Sequence, residues 1–196
     1  MPISATVPWA EMIRILGVEM AIELETPRVL LRAWQVSDVE PWIALNSDSE
    51  NMRYFPRTYT PDESKASFQR LRDLLNEHSF GLWAAQEKSS GDFMGFVGLA
   101  HQDLPGVSFM PCHEIGWRLD KKYWGKGYAT EAAKSVLDYG VKDLSLPIIY
   151  SYTALQNLPS INVMRKIGLR ERSELTFEHP KIPDGNPVKT HLVYST

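Results

Sequence analysis

Tyr123–Ala133 reads YWGKGYATEAA, and the two glycines at its centre govern how the rest of the chain is read. Gly125 and Gly127 carry no Cβ, so the backbone there can take φ > 0 and come close to a ligand without steric cost. The Ala-rich run that begins at about Gly127 reads as a helix. Its first N–H groups lack intrahelical acceptors and carry the positive end of the helix dipole. With Lys126 as a point charge between the glycines, the turn is built to hold an anion, and a diphosphate is the anion most often found in such a site. A tight strand-to-helix turn with no ligand is the plain alternative.

Spacing removes two phosphate-binding motifs. A Walker A loop places four residues between its first Gly and Gly-Lys and then Ser or Thr, whereas Gly125-Lys126 is followed by Gly127. A dinucleotide fingerprint needs a third Gly where Thr130 stands and opens the first strand-helix unit of a doubly wound domain. Here the motif falls two thirds of the way along 196 residues, so a nicotinamide-dinucleotide protein rests on Gly125-x-Gly127 alone.

Length suits one domain with a real core. The net charge of −3, with no block of like charges, gives no electrostatic case for a nucleic-acid or membrane partner. No apolar run approaches the roughly 18 residues of a spanning helix, so a cytoplasmic protein is expected. Cys112 is the single cysteine, which excludes an internal disulfide and a cysteine-based metal cluster. No metal is expected.

Outward from the glycine turn, strand and helix alternate. Residues 1–22 show only a short apolar patch and read as an extension; an appendage, a partner contact and a start at Met20 stay open. A first or edge strand is expected over Arg28–Trp34. Ser37-x-x-Glu40 and Thr60-x-x-Glu63 read as capping boxes that start two helices, the second with Pro61 at the favoured first position. Phe68, Leu71 and Leu75, with Leu74 beside them, make the apolar stripe of the second helix. Strands follow at Leu82–Glu87 and Phe93–Ala100 across the turn Ser89-Ser90-Gly91-Asp92, then at Cys112–Asp120. Ala129, Ala132, Ala133, Val136, Leu137 and Val141 give helical period after the glycines. The chain ends with a strand at Ile148–Thr153, a helix from Asn157, and strands at Arg172–Phe177 and Val188–Tyr194.

The glycine stretch resembles the coenzyme A loop of the GNAT N-acetyltransferase superfamily, Gln/Arg-x-x-Gly-x-Gly/Ala. Gly127-Tyr128-Ala129 matches its last three positions, and Trp124 stands where Gln or Arg is usual. The full run is similar to that of the ribosomal-protein-alanine acetyltransferase-like branch. Asn157–Leu169, NLPSINVMRKIGL, resembles the family's Asn-x-x-Ser/Ala-x-x-hydrophobic helix ending in Gly. The resemblance covers roughly Glu23–Tyr194, taken as one acetyltransferase domain over 23–196. It implies an α/β (α+β) GNAT acyl-CoA N-acyltransferase fold: a mixed, mostly antiparallel central sheet flanked by helices. Its fourth and fifth strands, here Cys112–Asp120 and Ile148–Thr153, would splay to admit a pantetheine arm. It implies acetyl-CoA as cosubstrate, with Gly125, Lys126, Gly127, Tyr128, Ala129 and Thr130 holding the diphosphate. Asn157 would bond the pantetheine amides, and the backbone of Trp117, Arg118 and Leu119 would line the splayed strand and supply oxyanion donors.

The chemistry asks for a base, because an amine acceptor is protonated near neutral pH. In HEIGW the period of two puts Glu114, Gly116 and Arg118 on one face and His113, Ile115 and Trp117 on the other. A desolvated Glu114 would have its pKa raised toward neutrality and is the first choice; a plain strand carboxylate is the other reading. His113 and His101 are weaker candidates. Many family members place a Tyr seven residues after the Asn, to protonate the leaving thiolate; here it is Met164. Ser160 is the substitute suggested by the branch resemblance, and its hydroxyl equally suits a helix cap. Tyr54 and Phe55, in the loop Asn51–Thr60, are expected to touch the acceptor, and Glu178–Pro187 to cover the opposite wall. The expected activity is acetyl transfer to a primary amine, on a protein N-terminus, a lysine or a small molecule, by a monomer or homodimer. A non-catalytic acyl-CoA-binding or sensor domain is the alternative.

Overall fold

The computed structural model describes residues 22–78 and 80–196. The expected extension lies outside them except for Ile22, whose carbonyl accepts the Trp83 indole N–H at 2.6 Å. One sheet holds nine strands: β1 (Leu24–Glu25), β2 (Val29–Arg32), β3 (Leu82–Glu87), β4 (Phe93–Gln102), β5 (Cys112–Leu119), β6 (Ile149–Ala154), β7 (Arg170–Glu171), β8 (Phe177–Glu178) and β9 (Thr190–Ser195). They lie in the order β1-β2-β3-β4-β5-β6-β9-β7, with β8 also on β9. Every pairing is antiparallel except β5 with β6, so the sheet is mixed and mostly antiparallel, as expected. Among the described residues four helices flank it: α1 (Val39–Ser47), α2 (Pro61–His78), α3 (Tyr128–Lys142) and α4 (Leu158–Lys166).

Side-chain alternation assigns the two faces. Across β4 and β5, Phe96 pairs with Arg118, Gly98 with Gly116 and Ala100 with Glu114, which sends that set to one side. There Trp42 of α1 meets Phe96 edge-on at 5.8 Å, and the Trp42 indole N–H donates to Ser67 Oγ of α2 at 2.8 Å. Leu99 and Ile115 point the other way, under α3. A Cβ at Gly140 would stand 2.7 Å from Ile149 Cδ1 and 3.0 Å from Leu99 Cδ1, so the helix lies close on the sheet there. Ala132, Ala133, Val136 and Leu137 are buried beside it. Val141 departs from the expected stripe at 46 % exposure, since Gly140 takes the sheet-facing place. In α2, Phe68 and Leu75 are buried while Leu74 faces solvent.

The second capping box forms as read: Thr60 N–H donates to Glu63 Oε2 at 2.9 Å and Glu63 N–H to Thr60 Oγ1 at 3.2 Å. The first does not. A 3₁₀ turn at Val36–Asp38 precedes α1, and Asp38 Oδ2 accepts the Gln35 N–H at 2.8 Å. Arg32 grips the same carboxylate at 2.8 and 2.9 Å. This buried pair, set by β2, displaces Ser37 and Glu40 from the capping role. The strand expected at Arg172–Phe177 is likewise replaced by a 3₁₀ turn, Ser173–Leu175. Arg172 N–H bonds Val193 O at 2.8 Å, and the chain then curls, with Leu175 N–H on Arg172 O at 2.9 Å. That turn splits the edge into β7 and β8.

Candidate active site

β5 and β6 pair at only two positions, His113 with Ile149 and Glu114 with Tyr150. Past them Ser151 Oγ donates to Ile115 O at 2.9 Å, which fixes that carbonyl toward β6. Alternation then turns the backbone of Trp117 to the same side. From Gly116 to Leu119 no strand pairs with β5 on that edge among the described residues, and this is the splay expected of these two strands.

At the end of β5 the glycine turn takes the form that its sequence requires. A 3₁₀ turn, Lys121–Tyr123, is capped by the Asp120 side chain, and Trp124 Nε1–H donates back to Leu119 O at 2.7 Å. Gly125 and Gly127 follow at φ 72° and 84°. Gly127 is the left-handed N-cap of α3, and the first helical bond runs from Glu131 N–H to Gly127 O. The N–H groups of Tyr128, Ala129 and Thr130 precede that bond and point out of the helix end. A Cβ on Gly125 would meet nothing within 4 Å, so the turn is an open cradle. Glu131 would oppose an anion there, but it is committed elsewhere. It accepts from Thr26 Oγ1 at 2.7 Å, Arg28 N–H at 2.9 Å and Arg28 Nε at 2.7 Å. Burial pushes its pKa up, yet these donors hold the carboxyl below its ordinary value. Arg28 also donates to Lys126 O at 3.0 Å, tying the cradle to β2.

Glu114 stands where the two strands part. Burial pushes its pKa up to about 7, against the opposing pull of the Tyr152 hydroxyl and the Gln102 amide; Gln102 Nε2 donates to its Oε2 at 2.8 Å. A Cβ on Gly116 would find nothing nearer than Glu114 Oε1, at 3.8 Å, so a notch opens beside the carboxylate. His113 and His101 meet edge-on on the opposite face, ring centroids 5.7 Å apart, away from this notch. Tyr152 and Gln102 were not singled out from the sequence. The signal was there in the period of two on β6, which puts Tyr152 on the same face as Tyr150, the partner of Glu114.

The far side of the notch is aromatic and basic. Arg118 Nη1 donates to Asn46 Oδ1 at 2.6 Å, and its guanidinium lies 4.0 Å from the Phe55 ring centroid and 5.3 Å from that of Trp42. Burial lowers its pKa to about 10, with the Tyr59 hydroxyl opposing, so it stays a cation at neutral pH. Phe55 thus faces the notch. Tyr54 sits one step outward, against Arg53 at 4.8 Å, and Arg53 also covers Trp124 at 4.9 Å. On the other wall Tyr152 packs on Phe177 at 5.5 Å, and His179, at the start of the Glu178–Pro187 loop, stacks on His191 at 5.0 Å. Burial, His191 and Lys181 push the His179 pKa down to about 4.

Asn157 caps α4: its Oδ1 accepts the Ser160 N–H at 3.3 Å and its Nδ2 donates to Thr153 Oγ1 at 2.8 Å. The cap is therefore Asn157, and the Ser160 hydroxyl takes no partner among the described residues. Met164, where many relatives were expected to carry Tyr, is 1 % exposed in the core. Cys112 is buried, and burial pushes its thiol up to about 12. No group of three His, Cys, Asp or Glu among the described residues is placed to hold a metal.

An open cradle at a helix N-terminus, joined to an unpaired strand edge, fits a diphosphate with a long amide-bearing arm. The family model for the acetyltransferase (GNAT) domain matches residues 28–170. The uncharacterized N-acetyltransferase YnaD of Bacillus subtilis is 30 % identical over 165 residues, 84 % of this chain and 91 % of that protein. The spermidine N(1)-acetyltransferase of Escherichia coli K12 is 38 % identical over 155 residues, 76 % of this chain and 77 % of that one. Among solved structures, a GNAT-family acetyltransferase from Bacillus anthracis superposes with a TM-score of 0.73 at 27 % identity, over 89 % of this chain and 98 % of that one.

Proposed function

The chain belongs to the acetyltransferase (GNAT) family, and from that premise we propose that it moves an acetyl group from acetyl-CoA to a primary amine by direct attack in a ternary complex. The observation that carries this reading is the position of Glu114, a carboxyl raised to about 7 at the point where β5 and β6 part. The bound coenzyme supplies an activated acetyl thioester. The cradle from Gly125 to Thr130 holds its diphosphate through backbone N–H groups. The free edge of β5 at Trp117–Leu119, with Asn157 across the gap, receives its arm. Glu114 takes a proton from the acceptor ammonium, a transfer that its raised pKa suits near neutrality. Tyr152 and Gln102 orient the carboxylate. Phe55 and Tyr54 form one wall of the acceptor groove. Ser160 is the hydroxyl nearest in role to a thiolate acid, and a thiolate near its own pKa leaves tolerably without one.

A protein N-terminus, a lysine and a small amine, a polyamine included, are the acceptor classes. Residues 23–196 form the catalytic domain, with 1–22 ahead of it. A cytoplasmic location suits an enzyme that draws on acetyl-CoA; no helix among the described residues is long and apolar enough to cross a membrane.

Two measurements test this. Saturating acetyl-CoA raises the unfolding temperature by about 5–10 °C while NADH does not, as expected of a ligand at a hundred times its dissociation constant. Release of coenzyme A thiol with an amine library then separates an enzyme from a sensor domain, which would bind the coenzyme and form no acetylated product. Glu114→Gln turnover that matched wild type across pH would remove the base assignment.

A further inference from the structure

Among the described residues Arg118 is a cation without a counter-ion. Elsewhere the fold pairs a buried guanidinium with care: Arg32 and Asp38, 6 % and 2 % exposed, share a bidentate bridge. Arg118 has no carboxylate within 4.0 Å among the described residues, and its Nε is buried with no acceptor. Among the described residues its Nη1 donates to Asn46 Oδ1, and the Tyr59 hydroxyl is its other polar neighbour. The Asn46 Nδ2 beside it is a second buried donor with no acceptor. Two adjacent unsatisfied donors, one of them charged, cost stability unless an acceptor arrives to meet them. The Phe55 and Trp42 rings lie 4.0 and 5.3 Å from the guanidinium carbon, and a guanidinium is the side chain best shaped to engage a planar anion with two hydrogen bonds. This one lies on the Glu114 face of β5, across the Gly116 notch.

Resting on the acetyl-transfer reading above, we propose that Arg118, seconded by Asn46, receives an anionic group of the acceptor. The substrate is then a primary amine that carries a carboxylate some distance away. Four residues of strand separate Glu114 from Arg118, about 13 Å between their Cα atoms. The Glu114 carboxylate leans toward Gly116 and shortens that interval, and an α-amino acid, with amine and carboxylate on one carbon, is the acceptor least able to bridge what is left. An ω-amino acid or an acidic N-terminal peptide spans it. A diamine of the same length would bring a second ammonium against a guanidinium in a partly desolvated site, where like charges repel strongly.

The test compares ω-amino acids of increasing chain length with the matching ω-diamines and ω-amino amides, at saturating acetyl-CoA, by release of coenzyme A thiol. Wild type is expected to favour the longer amino acids over both controls by about 10- to 100-fold in kcat/KM, the range of a charge-assisted hydrogen bond. Arg118→Gln collapses that ratio, Arg118→Lys restores part of it, and Arg118→Glu inverts it toward the diamine. The ratio is taken within each variant, so a general loss of activity cancels; where a variant does not fold, the wild-type ratio decides. Equal use of the three series by wild type, or an unchanged ratio in Arg118→Gln, overturns this inference and leaves acetyl transfer standing. Binding of acetyl-CoA with no transfer to any amine of the three series overturns this inference, and the transfer reading falls with it only if peptide N-termini and lysines also yield no acetylated product.

Discussion

Gln102 Nε2 donates to Glu114 Oε2 at 2.8 Å across the β4–β5 ladder, so the carboxylate is held from a neighbouring strand while burial raises its pKa from 4.5 to about 7. The sign of the linkage follows. Between those two values the folded protein holds a proton that the unfolded chain has released, so raising the pH through this window lowers stability. At about 1.4 kcal/mol per unit, the cost above neutrality is on the order of a few kcal/mol. Glu114→Gln removes the titration. We expect the variant to unfold at a higher temperature than wild type at pH 8, with the difference vanishing near pH 4, while the pH-dependent limb of kcat/KM is lost. Parallel melting curves of the two proteins from pH 4 to 8 would contradict the burial of this carboxyl.

The elements whose causes are local were legible in the sequence. Gly125 and Gly127 take positive φ because the turn demands it, the Thr60–Glu63 box closes within four residues, and the period of two on β5 put Glu114 and Arg118 on one face. What escaped reading depends on register between distant strands. Gln102 and Tyr152 reach Glu114 only because β4 and β6 pair with β5 as they do; the period of two on β6 gives the face of Tyr152 but not the register that sets it beside Glu114. The Ser37–Glu40 box failed for a similar reason, since Arg32 on β2 claims Asp38 and moves the helix start. Arg118 was read for its backbone; its side chain gains meaning only from Trp42 and Asn46 of α1 and Phe55 of the loop after it.

Glu131 joins the cradle to β2 through Thr26 and Arg28. Its pKa is lowered in the fold, so its contribution is present above the ordinary carboxyl range and is lost as pH falls through the folded value. Glu131→Gln keeps the shape and removes the charge that anchors Arg28, and Arg28 in turn holds Lys126 O. The dissociation constant for acetyl-CoA, measured by titration calorimetry, should rise by up to about tenfold, the equivalent of about 1.4 kcal/mol. An unchanged constant would mean that the cradle keeps its form without this tie.

Asn157 has two separable tasks. As the N-cap of α4 it accepts the Ser160 N–H, a bond worth about 1 kcal/mol. Asn157→Ala should therefore lower the unfolding temperature by about 2–4 °C. Asn157→Ser restores a capping oxygen but no amide. If Asn157 also bonds the coenzyme arm, Asn157→Ser regains the melting temperature and still binds acetyl-CoA more weakly than wild type. Full recovery of both quantities would confine Asn157 to capping.

Arg32 and Asp38 make the sharpest stability prediction. The pair is buried, bidentate and set between β2 and the start of α1, so removing one partner strands the other charge. Asp38→Asn is expected to cost about 3–5 kcal/mol, read by urea unfolding with an unchanged slope. Replacing both residues together, Arg32→Met with Asp38→Leu, removes both desolvation penalties and should recover most of that loss. The remainder, about 1–2 kcal/mol, lies in the hydrogen bonds that apolar side chains cannot replace, from the Gln35 N–H to Asp38 and from Arg32 to Gln86 Oε1 and Ala33 O. If the double variant proved as unstable as the single one, the pair's main contribution would lie in positioning α1, and with it Trp42 and Asn46 beneath Arg118.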